Sequence, residues 1–240
     1  MELPSPLLNG WLVSRYKRFF ADVTLSSGET VTAHVPNTGA MTGLSAPGMK
    51  VWLSPAGNPA RRLRYTLEFV EVDGKLVGVN TQHPNRIAAE AIAAGAVSEL
   101  SGYSAIRREV RYDDGCRVDL HLGEHPNRAC AWVEVKNVHL LRRPGLAEFP
   151  DSRTARGLKH LGALVRRVQA GDRAAMLFVV QRADAKSFAV ADDIDPDYAA
   201  GLRDAAAQGV EVLCYGCHLT ISSLRLHRRL EWVGSLARAP

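Results

Sequence analysis

For its first 80 residues the chain alternates apolar and polar side chains at a period of two, with turn residues between the runs, and that pattern dictates half-buried strands. Five runs follow from it: Leu12 to Leu25, Thr30 to Val35, Lys50 to Leu53, Tyr65 to Val72 and Lys75 to Asn80. Ser27-Gly28 separates the first two, and Asp73-Gly74 supplies the positive φ angles of a two-residue hairpin. Five short strands left open would expose their edges, so a small closed OB-like barrel is predicted. Pro36-Asn37-Thr38-Gly39-Ala40-Met41-Thr42-Gly43 has the composition of a loop that offers amides to phosphate, and equally of an ordinary tight connection.

From His83 the character changes. Pro84 opens an alanine-rich helix expected over Arg86 to Glu99, with apolar Ile87, Ala91, Ile92 and Val97. Strands are then predicted over Ala105 to Tyr112, Cys116 to Leu122 and Ala131 to Leu141, a helix over Thr154 to Ala170, and a strand over Ala174 to Gln181. A helix over Asp197 to Gln208 and a strand over Val210 to Tyr215 follow. The long helix carries Leu158, Leu161, Leu164, Val165 and Val168 on one stripe. The plan is α/β with a mixed sheet, α+β over the whole chain. It gives two domains, a barrel over 1–82 and an α/β domain over 83–240.

Composition narrows the function classes. Hydrophobic residues at 46% and charged residues at 23% are ordinary globular usage, which excludes a disordered or low-complexity scaffold. Apolar stretches fall far short of the ~18 residues of a spanning helix, so no membrane partner is expected. The first ten residues lack a basic region followed by an apolar one, and the expected location is the cytoplasm. Cys116, Cys130, Cys214 and Cys217 are expected to be reduced thiols, because Cys214 and Cys217 have CxxC spacing but no second ligand pair.

The residues that carry chemistry lie in the predicted meander. In Arg117-Val118-Asp119-Leu120 the pleat sends Val118 and Leu120 to one face and Asp119 to the other. In Trp132-Val133-Glu134-Val135-Lys136 it places Glu134 and Lys136 together. If Asp119 faces Glu134 in an antiparallel pair, the hairpin midpoint falls between Pro126 and Asn127, inside the turn-rich segment Gly123 to Arg128. Two neighbouring carboxylates repel unless a cation lies between them, and Mg²⁺ suits such a pair. A bound metal would activate water for attack on phosphorus, with Lys136 orienting that water or stabilising the transition state. Glu99, expected near the end of the preceding helix, would complete the metal shell. The same residues are also compatible with a solvated cross-strand charge pattern.

A net charge of +5 makes a polyanionic partner plausible. Arg153, Arg156 and Lys159 open the long helix, where a phosphate backbone would lie, or where they simply form a solvated face. Arg15, Lys17 and Arg18, interleaved with Tyr16 and Phe19, suit stacking plus phosphate contact, or protection of an edge strand. His160 reads as a core or boundary histidine. Hydrolase-triad, P-loop and GxGxxG signatures are lacking.

Taken in order, several stretches resemble the sugar fermentation stimulation protein A (SfsA) family. They are Arg15-Tyr16-Lys17-Arg18-Phe19, the Pro36 to Gly43 loop, Ser98-Glu99-Leu100-Ser101-Gly102-Tyr103, Arg117-Val118-Asp119, Val133-Glu134-Val135-Lys136, and Phe149-Pro150-Asp151 with Arg156-Gly157-Leu158-Lys159-His160-Leu161. The resemblance implies an N-terminal OB-like domain, a C-terminal domain of the PD-(D/E)XK nuclease class, and DNA binding of low sequence specificity. It implies a metal site at Asp119, Glu134 and Glu99 with Lys136 as the catalytic amine, holding Mg²⁺ or Mn²⁺. The expected function is therefore a DNA-binding phosphodiesterase, with RNA left open as substrate. The alternatives are a non-catalytic DNA-binding regulator linked to sugar (maltose) metabolism and a sugar-binding regulator.

Overall fold

The computed structural model describes residues 1–58, 60–112 and 116–233. The N-terminal strands are β1 (Leu8–Tyr16), β2 (Phe20–Leu25), β3 (Thr30–His34), β4 (Lys50–Pro55), β5 (Tyr65–Val72) and β6 (Lys75–Gly78). They run in the order β3-β2-β1-β4-β5-β6, and a parallel β3–β5 pairing at Ala33↔Tyr65 and His34↔Thr66 closes five of them into the OB barrel. Leu12, Ala21, Val23, Ala33, Val51, Leu53 and Leu67 fill it. The expected single run from Leu12 to Leu25 is two strands, because the chain reverses at Lys17 and Arg18 with φ of +48° and +62°. That turn contains no Gly, Asn or Asp, so its residues carry no turn signal. The Asp73-Gly74 turn has the positive φ angles that its sequence demands.

The second unit begins with α1 (Pro84–Ala93), followed by a 3₁₀ turn over Ser98–Leu100. The expected helix to Glu99 stops early because Gly95 takes a φ of +72°, outside helical space. Next come β7 (Ala105–Tyr112), β8 (Cys116–Gly123), β9 (Ala131–Val138), β10 (Leu140–Arg143), β11 (Leu146–Phe149) and α2 (Ala155–Gln169). The chain continues through β12 (Arg173–Val180), β13 (Ser187–Val190), α3 (Pro196–Ala207), β14 (Glu211–Leu219), β15 (Leu224–Arg229) and β16 (Glu231–Trp232). The main sheet has the order β15-β14-β12-β9-β8-β7 and is mixed, with β9, β12 and β14 parallel. The short strands β10, β11, β13 and β16 form a second sheet that the residues alone did not announce.

Two cores sandwich the main sheet. On one face Ile87, Ala88 and Ile92 of α1 pack against Leu120, Val133, Val135, Leu177 and Tyr215, together with Phe69 of the barrel. On the other, Leu161 and Leu164 of α2 and Tyr198 and Leu202 of α3 cover Trp132, Met176, Phe178 and Cys214. Cys214 and Cys217 therefore lie in different cores and face opposite ways. Helix α2 starts at Thr154, whose Oγ1 accepts the Gly157 amide at 3.0 Å, and α3 starts at Asp195 with Pro196 at its first position. The buried stripe of α2 runs through Gly157, His160, Leu161 and Leu164, whereas Leu158 is exposed. Among the described residues no helix is long and apolar enough to cross a membrane.

Candidate active site

Strands β8 and β9 pair at Leu120↔Val133, His121↔Trp132 and Leu122↔Ala131, the register in which Asp119 falls opposite Glu134. The ladder ends one pair before them. There the Asp119 carboxylate takes over the backbone's task, accepting the Val135 amide at 2.7 Å, while its other oxygen accepts Asn85 Nδ2 of α1 at 2.7 Å. The expected common face of Val118 and Leu120 is corrected: they pack in opposite cores, so the pleat changes phase at Asp119. Its neighbour across the sheet, Glu109, has a φ of +53° and leaves the β7–β8 ladder at the same point. This break turns the Asp119 carboxylate toward the end of the β8–β9 ladder, where Glu134 begins.

Glu134 is 2% exposed. Its Oε1 accepts Lys136 Nζ at 2.7 Å and His160 Nδ1, and its Oε2 is buried without a partner. Burial works against the Glu134 charge, but the His160 hydrogen bond and Lys136 outweigh it and hold the carboxyl below its ordinary range. Asp119 goes the other way: burial first, then the Glu134 charge, push it up to about 6 against the pull of the Val135 amide. Opposite shifts in two adjacent acids are the signature of a pair that resists carrying two negative charges.

The expected third acid is not in this group. Glu99 sits on the 3₁₀ turn, where its Oε2 accepts Tyr215 Oη at 2.6 Å and its Oε1 meets Arg229 at 3.0 Å. Tyr215 belongs to the α1-side core, so Glu99 lies across the sheet from Glu134. Glu99 stays on the α1 face with Val97 and Leu100, whereas Glu134 points to the α2 face. Among the described residues no three His, Cys, Asp or Glu side chains are grouped to hold a metal. Among the described residues Asp119 and Glu134 stand as donors to a cation, and the bare, buried Oε2 of Glu134 fits a hard divalent ion.

Beside the pair lies a cleft of about 390 Å³ lined by Glu109, Cys116, Arg117, Arg156, Lys159 and His160. Arg156 and Lys159 thus stand where the sequence placed basic groups, with Arg153 exposed just before them. Lys17 and Arg18 are exposed at the β1–β2 turn, Arg18 reaching the Thr38 carbonyl at 3.2 Å. Arg15 is turned to a different task. Its Nη2 donates to the carbonyls of Asn37, Gly39 and Arg18 at 2.9–3.1 Å, pinning the Pro36 to Gly43 loop rather than facing solvent. Two of that loop's amides are spent inside the protein as well: Gly39 donates to Asn37 Oδ1 at 2.9 Å and Met41 to Asp151 Oδ2 at 3.4 Å.

Two residues that hold the pair escaped the sequence. His160 looks like one more member of a helical stripe, and only its place among buried Leu161 and Leu164 hints that it faces inward. Asn85 follows a helix-opening proline and carries no signal.

Residues 13–79 match the SfsA N-terminal OB domain, and residues 82–223 match the sugar fermentation stimulation protein RE domain. A sugar fermentation stimulation protein homolog of Rhodospirillum centenum is 57% identical over 231 residues, 96% of this chain and 99% of its own. The homolog of Maricaulis maris is 55% identical, covering 96% and 98%. Among solved structures, Pyrococcus furiosus SfsA in complex with Ca²⁺ superposes with a TM-score of 0.87 at 27% identity, over 97% of both chains. Identity above half along nearly the full length, in both domains and in order, makes this chain a member of the sugar fermentation stimulation protein family.

Proposed function

We propose that the protein binds DNA with low sequence specificity and cleaves its phosphodiester backbone at a divalent-metal site of the PD-(D/E)XK type. One observation carries the reading: Asp119 and Glu134 share a register at a break in the sheet, with Lys136 on one Glu134 oxygen and the other oxygen buried and bare. Asp119 and Glu134 would hold Mg²⁺ or Mn²⁺, and the Ca²⁺ complex of the Pyrococcus furiosus relative supports a hard divalent cation. Bound there, the ion would polarise a phosphoryl oxygen and lower the pKa of a coordinated water. Asn85 and the Val135 amide fix the Asp119 carboxylate. Lys136, once released from Glu134, reaches the charge that develops on phosphorus. Arg153, Arg156 and Lys159 lie along the approach and would carry the backbone, with Lys17 and Arg18 extending the basic track on the barrel.

The test compares the wild type with Glu134→Ala on single- and double-stranded DNA and on RNA, with Mg²⁺ or Mn²⁺. Metal-dependent cleavage that falls at least 100-fold in the variant, with DNA affinity kept, is the expected result. Binding without metal-dependent cleavage by the wild type would replace the enzyme with the non-catalytic DNA-binding regulator that the family name, with its link to sugar fermentation, also accommodates.

A further inference from the structure

The two oxygens of Glu134 are not equivalent. Oε1 takes two donors and Oε2 takes none, although both are shut away from water. The two donors differ in kind. Lys136 lies two residues along the same strand on a flexible four-carbon arm, carries a full positive charge and keeps 16% of its side chain exposed. His160 is 6% exposed and arrives from α2. Arg156 Nε donates to His160 Nε2 at 3.3 Å, which makes that nitrogen the acceptor and leaves the ring proton on Nδ1, facing Glu134.

The ring's position is set by helix packing. Thr154 caps α2 and its amide donates to Asp195 Oδ2 at 2.7 Å, tying the helix start to the cap of α3. Gly157 lets Tyr198 approach so closely that an added Cβ would come within 3.0 Å of its ring. The helix therefore presents His160 to the sheet from a fixed platform, whereas Lys136 reaches Glu134 on a flexible four-carbon arm.

We infer that His160 is the positioning residue of the site: its Nδ1–H holds Glu134 by Oε1 so that Oε2 is presented to a divalent cation, leaving Lys136 free for the phosphoryl group. This rests on the metal-site reading above. A donor held by helix packing suits the task, because it orients the carboxylate without occupying the Lys136 amine.

The test is Mn²⁺ binding by titration calorimetry, without nucleic acid, on the wild type and on His160→Asn, His160→Phe and Lys136→Met. Asparagine keeps an N–H where Nδ1–H stands, so His160→Asn should bind Mn²⁺ within about threefold of wild type. His160→Phe should weaken binding about 10–100-fold. Lys136→Met should not weaken it. Wild-type affinity in His160→Phe, or equal weakening in Lys136→Met, overturns the assignment while leaving the metal site standing. No Mn²⁺ binding by the wild type removes the metal site and the assignment with it. If His160→Phe fails to fold, His160→Leu replaces it with the same reading: wild-type Mn²⁺ affinity overturns the assignment and a weakening of about 10–100-fold supports it.

Discussion

Glu68 illustrates how much a single buried charge here depends on its partners. Its Oε1 accepts Ser54 Oγ at 2.6 Å, and its Oε2 accepts Asn80 Nδ2 at 2.9 Å and His83 Nε2 at 2.7 Å. Burial pushes its pKa up, but the His83 contact and the two neutral donors outweigh it, and the net shift is downward. A carboxyl whose pKa is lower folded than unfolded adds stability above its unfolded value, near 4.3, and loses it as pH falls through the folded value. Glu68→Gln should therefore cost about 1–3 kcal/mol at pH 7. Denaturant unfolding of both proteins should show the gap narrowing once the pH drops below the ordinary glutamate range. An unchanged gap at pH 7 and in that acidic range would mean that the Glu68 charge is not what the cluster stabilises.

At the scale of elements, Gly95 decides where α1 stops and hence that Glu99 sits on a 3₁₀ turn rather than in the helix. Its φ of +72° in open space makes a side chain strained there without any clash. Gly95→Ala should lower stability by roughly 1 kcal/mol. A helix running on to Glu99 would instead be stabilised by alanine at that position, so a rise in melting temperature contradicts the break. The same contrast explains what could be read beforehand. The Asp119–Glu134 register was legible because strand alternation and the turn-rich Gly123 to Arg128 segment point to one pairing. The barrel was legible because period two persists through it. The helix end was not, since one glycine in an alanine-rich run fits both a helix interior and a terminus. Nor was the phase change at Asp119, which depends on Glu109 taking a φ of +53° from across the sheet. His160 stayed hidden because a helical stripe does not tell a packing side chain from a hydrogen-bonding one, and the four-residue strands are too short for periodicity to register.

At the scale of the whole molecule, the barrel and the second unit are fastened through the Pro36 to Gly43 loop. Arg15 pins this loop from the barrel side, and Asp151 receives it on the other, accepting Met41 N at 3.4 Å and meeting His139 Nε2 at 3.3 Å. Gly78 adds a second seam by donating to the Gln181 carbonyl at 2.9 Å. Asp151 precedes α2 by four residues, so the loop also locates the helix that brings Arg156, Lys159 and His160 to the candidate site. Gly39 is the point of closest approach: a Cβ there would stand 2.3 Å from Asp151 Oδ2 and 2.9 Å from Cγ, and the carboxylate cannot yield without releasing Met41 or His139. Gly39→Ala should therefore cost about 1–3 kcal/mol in the wild-type background. In an Asp151→Ala background the obstructing carboxylate is gone, and the same substitution should cost little. Chemical denaturation of the two single variants, the double variant and the wild type gives the coupling directly, and strong non-additivity is expected. Additive costs would mean that the loop and the α2 approach are not pressed together at Gly39. The position of His160 would then have to be set by α2–α3 packing alone, with no contribution from the barrel.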